Sequence, residues 1–345
     1  MTQPTTYREA GVDRDAARDA KNRILDLVKS TATGHVVSNA GGFGGLVRVP
    51  DDLKSPLLVS SADGVGTKLK VAMMSGRHNT IGHDLVNHCV NDILVEGARP
   101  LFFLDYIGMG ALEPGIAEQI VAGVAAGCIE NGCALVGGET AEMPDFYAPG
   151  EYDLAGFIVG TVGEANRLGA HRVAKGDVLL GLSANGFHTN GYSLVRKVLF
   201  DKLKLTVDDV FPDSSSSVAD ILLRVHRSYL PSIQQVALNE SLHALAHITG
   251  GGIPENLDRV IPAGLCARVE RKAWTVPFEF QAIQKAGQVP QDDMDRTFNN
   301  GIGMVAIVAK DEAEAIARQL REAGEEVFTI GEVVAGDEPV VMSTK

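Results

Sequence analysis

Cysteine is scarce in this sequence: Cys89, Cys128, Cys133 and Cys266 are the only four in 345 residues. Their spacings fit no zinc-ligand pattern, and a chain this long needs no disulfide framework. They are expected to be small buried hydrophobes in a reducing compartment. Basic residues are also in deficit. Lys and Arg total 31 against 44 Asp and Glu, a net charge of −13. Such a surface repels nucleic acid and anionic membrane. No apolar run reaches the roughly 18 residues of a membrane span. Met1 to Ser30 is polar and charged and has no apolar signal-peptide core, so a cytoplasmic location is expected. Disorder is excluded for the bulk of the chain, because 45% of its residues are apolar.

What is present is enough chain for two hydrophobic cores, at roughly 150 residues per domain. Asp13 to Ser30 reads as a helix with Asp13 as its N-cap. Gly41-Gly42-Phe43-Gly44-Gly45 is a loop between short strands. Leu57 to Ser60 reads as a strand running into the turn-rich Asp63-Gly64-Val65-Gly66-Thr67-Lys68 segment. Thr80 to Glu96 is an amphipathic helix. At 100° per residue Asp84, Asn87, His88, Asn91 and Asp92 fall on one arc, opposite Leu85, Val86, Cys89, Val90, Ile93 and Leu94. Further strands are expected at Leu101–Tyr106, Cys133–Val136, Leu154–Val162, Val178–Leu182, Ile302–Ala309 and Val327–Ile330. Helices are expected at Pro114–Asn131, Tyr192–Phe200 and Glu312–Ala323. The alternation predicts an α/β (α+β) protein. A boundary falls within Gly163 to Gly176. The expected division is a helix and glycine-rich segment over 1–50, a first domain over 51–165 and a second over 175–340.

Three glycine-rich segments, Gly41 to Gly45, Gly64 to Thr67 and Gly250 to Gly252, could bring backbone N–H groups close to phosphate. None is a Walker A loop or a Rossmann fingerprint, and each alone is more often a tight turn. The carboxylates change the balance. Asp63, Asp84, Asp92 and Glu139 stand at element ends or on the polar helix arc, beside these loops. They would repel a phosphate unless a hard cation such as Mg²⁺ bridged the two. Lys68 could then meet phosphate as a point charge. For Asp84 and Asn91 the plainer reading is a solvated helix face. His188, in an Asn/Gly/Thr-rich loop, and His247, just before Thr249-Gly250-Gly251-Gly252, are candidates for substrate contact or proton transfer. Arg196 lies where it could meet an anion, and His243 reads as structural.

These segments occur together in one known family. Gly41 to Gly45, Asp63 to Lys68, Val90-Asn91-Asp92, Pro100 to Tyr106 and Val136 to Pro144 match it in order. So do Gly186 to Lys197, His247 to Gly252 and Arg296-Thr297-Phe298-Asn299. The chain resembles the phosphoribosylformylglycinamidine cyclo-ligase (aminoimidazole ribonucleotide synthetase) family from about Tyr7 to about Val334. The resemblance implies an ATP-dependent ligase of de novo purine synthesis. Its substrate would be formylglycinamidine ribonucleotide and its cofactors ATP and Mg²⁺. It also implies a homodimer in which N-terminal strands of two subunits pair in a barrel, with a C-terminal α/β domain beside it. It casts Asp63, Asp92 and Glu139 as Mg²⁺ ligands. Gly41, Gly42, Phe43, Gly44, Asp63, Gly64, Lys68, Asn91, Gly137 and Gly138 become nucleotide contacts. Asn185, Gly186, His188, Asn190, Arg196, Thr249, Gly250 and Gly251 become the substrate side, and His188, His247 and Lys68 the catalytic candidates. The loop Gly186-Phe187-His188-Thr189 departs from the family pattern, in which proline and serine flank the histidine.

Two alternatives are weighed. Related ATP-dependent enzymes share acidic, glycine-rich sites. A selenophosphate synthetase would need a reactive Cys before Cys89, and a hydrogenase maturation factor would need a C-terminal Cys. A formylglycinamidine synthetase would want a glutaminase partner, and Arg296 to Asn299 favours the cyclo-ligase. A non-catalytic nucleotide-binding protein would be favoured by loss of the carboxylates or of the His188 loop, and both are present.

Overall fold

A computed structural model describes residues 13–38 and 44–343. Gly41, Gly42 and Phe43 lie outside the described residues. The first half contains α1 (Arg14–Ser30), β1 (Pro56–Gly64), α2 (Leu69–Ser75), α3 (Asn79–Leu94), β2 (Arg99–Met109), α4 (Pro114–Glu130), β3 (Ala134–Glu142) and β4 (Tyr152–Gly163). The second half contains β5 (Val178–Ser183), α5 (Tyr192–Arg196), α6 (Val218–Leu222), α7 (Leu230–Ile233), β6 (Leu242–His247) and α8 (Gly252–Asp258). It continues through β7 (Leu265–Glu270), α9 (Phe278–Gly287), α10 (Gln291–Thr297), β8 (Ile302–Val308), α11 (Ala313–Glu322), β9 (Val327–Ala335) and β10 (Val340–Ser343).

The expected elements are found with shifted ends, except the short strands beside Gly41 to Gly45, where the described residues hold only a single bridge between Val36 and Val47. Asp13 caps α1, its carboxylate accepting from the N–H groups of Asp15 and Ala16. The strand expected at Leu57–Ser60 runs on to Gly64, so Asp63 belongs to β1 itself and not to the loop after it. The helix expected from Tyr192 to Phe200 holds α geometry only to Arg196 and continues as a π turn over Lys197–Lys202.

Strands β1 to β4 form one sheet in the order β1-β4-β2-β3, and β5 to β10 form a second in the order β10-β7-β9-β5-β8-β6. One face of the first sheet is covered by α3 and α4. These helices cross with their backbones nearly touching. A Cβ on Gly82 would lie 2.1 Å from the carbonyl oxygen of Ile120, and one on Gly123 would lie 2.2 Å from that of Asn79. Only glycine permits that approach. In the second sheet β8 is buried along its whole length, which its unbroken apolar sequence requires.

The polar arc of α3 is not a solvated face. Asp84, Asn87, His88 and Asn91 are all buried, pressed against residues 224–229 of the second half. That stretch has no strand partner, so its backbone groups need other ones. The arc supplies them. Asp84 accepts from the N–H of His226 (2.7 Å), Asn87 donates to its carbonyl (2.8 Å), and Asn91 donates to the carbonyl of Arg227 (2.8 Å) and accepts from the N–H of Tyr229 (3.0 Å). The amphipathic pattern marks a polar interface between the two halves.

The other face of the first sheet has no helix over it among the described residues. Leu58 is 64% exposed and Phe157 45%. Phe102, Leu104 and Tyr106 are half-buried, and the strand register places all five on that side.

Candidate active site

A cleft of about 700 Å³ opens between the halves. The first half contributes Ser61 and Asp63 from β1 and His88 and Asp92 from α3. The second contributes His247 from the end of β6 and, beyond it, Thr249, Asn256 and Arg259. The volume is in the range of small-molecule sites.

The cleft wall is a chain of carboxylates and imidazoles. Nε2 of His88 lies 2.7 Å from Oδ2 of Asp63 and 3.7 Å from Oδ2 of Asp92. Nδ1 of His88 meets Oγ1 of Thr189 at 2.7 Å. Oδ1 of Asp92 meets Nδ1 of His247 at 2.8 Å, and Ser61 donates to its other oxygen at 3.2 Å. Nε2 of His247 faces Nε2 of His226 at 3.1 Å, and the His226 ring stacks on that of His188 at 4.0 Å.

The electrostatics follow from this. Burial pushes the Asp63 carboxyl up, but the hydrogen bond and charge of His88 outweigh it and hold the group below its ordinary range. Burial acts on Asp92 the same way and is outweighed by His247, His88 and Ser61. Burial disfavours a charged His88, yet Asp63 and Asp92 together raise its pKa. For His247 burial wins over Asp92 and lowers the imidazole pKa. His188 and His226 are held well below the ordinary histidine value, first by burial and then by the neighbouring imidazoles and Lys68.

Several expected site residues stand elsewhere. Lys68 is fully buried. Its ammonium donates to Asp84 (2.8 Å), to the carbonyl of Arg224 (2.7 Å) and to the carbonyl of His188 (3.2 Å). An ammonium has three N–H donors, and all three are directed at protein acceptors. The amide of Asn91 likewise bonds residues 226–229. Glu139 does not join Asp63 and Asp92. Asp63, Gly156, Asp105 and Gly138 pair across the first sheet on the helix-covered side, and a Cβ on Gly138 would collide with Oδ1 of Asp105 at 2.0 Å. Glu139 is the next residue and so projects from the opposite side. Gly137 and Gly138 line a separate cavity of about 350 Å³ beneath α1.

His188 sits behind the cleft wall, with φ +56° and both ring nitrogens buried without a partner. The substrate-side loops do come together. Oδ1 of Asn190 accepts from the N–H of Gly250 at 3.0 Å, and Thr249 lines the cleft. Nδ2 of Asn190 and Nε of Arg196 are buried without partners. Asn185 donates to the carbonyl of Val225 and Gly186 accepts from Asn299, which fixes the loop before His188. His226 was not marked by any motif, because it lies in a segment with no periodic pattern. His88 could have been found, as it shares the arc of Asp92 at four residues' spacing.

Fold and cleft together define an enzyme of the AIR synthase-related class. Residues 44–162 match the AIR synthase related protein, N-terminal domain family, and residues 174–343 match the corresponding C-terminal domain family. Among solved structures, the chain is similar to thiamine-monophosphate kinase from Stenotrophomonas maltophilia K279a, with a TM-score of 0.71 at 18% identity over 94% of this chain and 96% of that one. It is also similar to the hydrogenase maturation protein HypE in complex with ATP, with a TM-score of 0.66 at 20% identity over 94% and 91% of the two chains. At these identities the likeness concerns the fold alone. Curated relatives are much nearer. A phosphoribosylformylglycinamidine cyclo-ligase from Geotalea daltonii is 49% identical over 98% of both chains, and one from Alkaliphilus metalliredigens is 47% identical over 99% of this chain and 98% of that one. The chain belongs to the phosphoribosylformylglycinamidine cyclo-ligase family, a family of ATP-dependent ligases. Among the described residues no helix is long and apolar enough to cross a membrane.

Proposed function

We propose that the cleft between the halves takes ATP and formylglycinamidine ribonucleotide and closes the imidazole ring of aminoimidazole ribonucleotide, releasing ADP and phosphate. The γ-phosphoryl group passes to the formyl oxygen, and ADP leaves. The amidine-side nitrogen then attacks the former formyl carbon, and the carbon–oxygen bond breaks to release phosphate. An amide oxygen is a poor leaving group and phosphate a good one. The closure is intramolecular and gains from proximity.

The observation that carries this reading is the Asp92–His247 pair on the cleft wall. Asp92 accepts from Nδ1–H of His247 at 2.8 Å. That orients the ring and steadies a positive charge if it takes a proton, while Nε2 is held by His226 at 3.1 Å on the interior side. The Asp92–His247–His226 chain is thus the route into the protein for the proton lost as the ring closes. Asp63 and Asp92 present carboxylate oxygens that fit Mg²⁺, which keeps several waters and also takes phosphate oxygens. When bound, Mg²⁺ neutralises charge on the phosphates. The donors left free on Asn190 and Arg196, beside the Gly250–Gly251 turn, form the pole for the substrate's own phosphate. The uncovered sheet face carrying Leu58 and Phe157 is the surface on which two subunits pair as a homodimer. Replacing His247 with Gln tests the assignment. The expected result is a fall in kcat of about a hundredfold or more with ATP affinity retained. A kcat within a few-fold of wild type removes His247 from proton transfer.

A further inference from the structure

The carboxylates of the cleft do not stand alone. Asp63 and Asp92 each carry an imidazole nitrogen at hydrogen-bond distance, His88 Nε2 at 2.7 Å and His247 Nδ1 at 2.8 Å. Ligand atoms from His88, Asp92 and His247 all lie within 4.8 Å of one another. Donors at 2.0–2.2 Å from one ion sit about 3–3.5 Å apart. The spacings of 2.8 and 3.7 Å from Asp92 to His247 and His88 therefore need shifts of well under an ångström to become edges of a coordination polyhedron.

Two further features suit ligation. Each imidazole has its remote nitrogen held. Nδ1 of His88 is bonded to Thr189 at 2.7 Å, and Nε2 of His247 meets His226 at 3.1 Å. This is how metal-binding histidines are ordinarily oriented, by a partner on the nitrogen that does not bind. The three donors also come from two elements of different halves, α3 and β6, so the packing of the halves fixes their convergence. Mg²⁺ has little use for nitrogen donors. Mn²⁺, Co²⁺ and Zn²⁺ accept imidazole and carboxylate together.

We infer that His88, Asp92 and His247 form a mixed nitrogen–oxygen site that takes a borderline divalent transition-metal ion in preference to Mg²⁺. The inference rests on the reading that Asp92 holds a cation and adds the two imidazoles to it. An ion held this way ties up His247 and occupies the Asp92 carboxylate, so it would compete with turnover.

The test uses the full chain, freed of metal by a chelator and titrated with Co²⁺. The expected result is one Co²⁺ per chain with the intense visible bands of four- or five-coordinate ligation, persisting in excess Mg²⁺. His88→Gln and His247→Gln should each weaken Co²⁺ at least about tenfold. Pulsed electron paramagnetic resonance of the Mn²⁺-loaded wild type needs no variant and should show nitrogen coupling. The weak spectrum of six-coordinate oxygen ligation, displacement by equal Mg²⁺, or absence of nitrogen coupling overturns the inference. Those outcomes leave Mg²⁺-dependent ATP binding, followed separately by calorimetry, free to stand. Loss of that ATP binding with nitrogen-ligated Co²⁺ would overturn the nucleotide reading instead and uphold the site.

Discussion

Lys68 and Asp84 form a fully buried ion pair at the junction of the two halves, with Nζ 2.8 Å from the carboxylate. Burial pulls the Lys68 pKa down and pushes that of Asp84 up, and each partner opposes the shift in the other. Removing one partner strands the other charge away from water. Lys68→Met should therefore cost about 3–5 kcal/mol of unfolding free energy. It also frees two carbonyl acceptors, those of His188 and Arg224. Asp84→Asn keeps an acceptor for the N–H of His226 and should cost a comparable amount by stranding the ammonium. The double variant leaves no unpaired charge, so its cost should fall below the sum of the two by on the order of 3 kcal/mol. Urea unfolding of the four proteins, followed by circular dichroism, measures the cycle. ATP affinity is read in parallel by calorimetry on the folded variants. A lysine that touched phosphate would lose about 1.5–3 kcal/mol of ATP binding on truncation, with wild-type stability. That result, or strictly additive stability losses, would refute the structural assignment of Lys68.

Three other outcomes follow from the same reasoning. Asp105 is buried on β2 with burial as the main cause of a carboxyl pKa pushed up to about 7. The folded chain keeps that proton where the unfolded chain has lost it, so stability should fall between about pH 4 and pH 7, by up to about 4 kcal/mol. Asp105→Asn should abolish this fall in unfolding curves taken across that range, and an unchanged slope would show that Asp105 ionises normally. Leu58→Glu combined with Phe157→Glu should convert a dimer to a monomer in sedimentation, since each places a charge on the uncovered sheet face. A dimer that persists would place the subunit contact elsewhere. Arg196→Ala should raise KM for the ribonucleotide about tenfold or more while leaving KM for ATP near wild type, and the reverse pattern would move Arg196 to the nucleotide side.

Much of the first sheet was legible in the sequence, because its strands are apolar runs bounded by glycine and its helices keep a 3.6-residue period. The elements left out, α2, α6, α7, β6, α8, β7, α9, α10 and β10, are short or mix apolar and charged residues without a clear period. The polar arc of α3 was visible, but the segment it packs against was not. Residues 224–229 have no regular pattern, and their partners lie some 140 residues away in sequence, as the |i−j| of 142 between His226 and Asp84 shows. The surroundings of Lys68 were hidden for the same reason. A lysine after a Gly-x-Gly turn looks free to meet phosphate until the buried carboxylate that takes it is known. Asp63, Asp92 and His247 were legible as chemistry and meet in one cleft. His88 stood on the arc of Asp92, but His226 became recognisable only when the second half was laid against α3. Glu139 was separated from Asp63 by strand register, which fixes the side of a sheet and which composition alone does not reveal.

The most direct measurement of the central claim is ATP hydrolysis with and without formylglycinamidine ribonucleotide, followed together with the aminoimidazole product. The account predicts ADP release that requires the ribonucleotide and matches product one for one. ADP release independent of the ribonucleotide, or release without the aminoimidazole product, would contradict it.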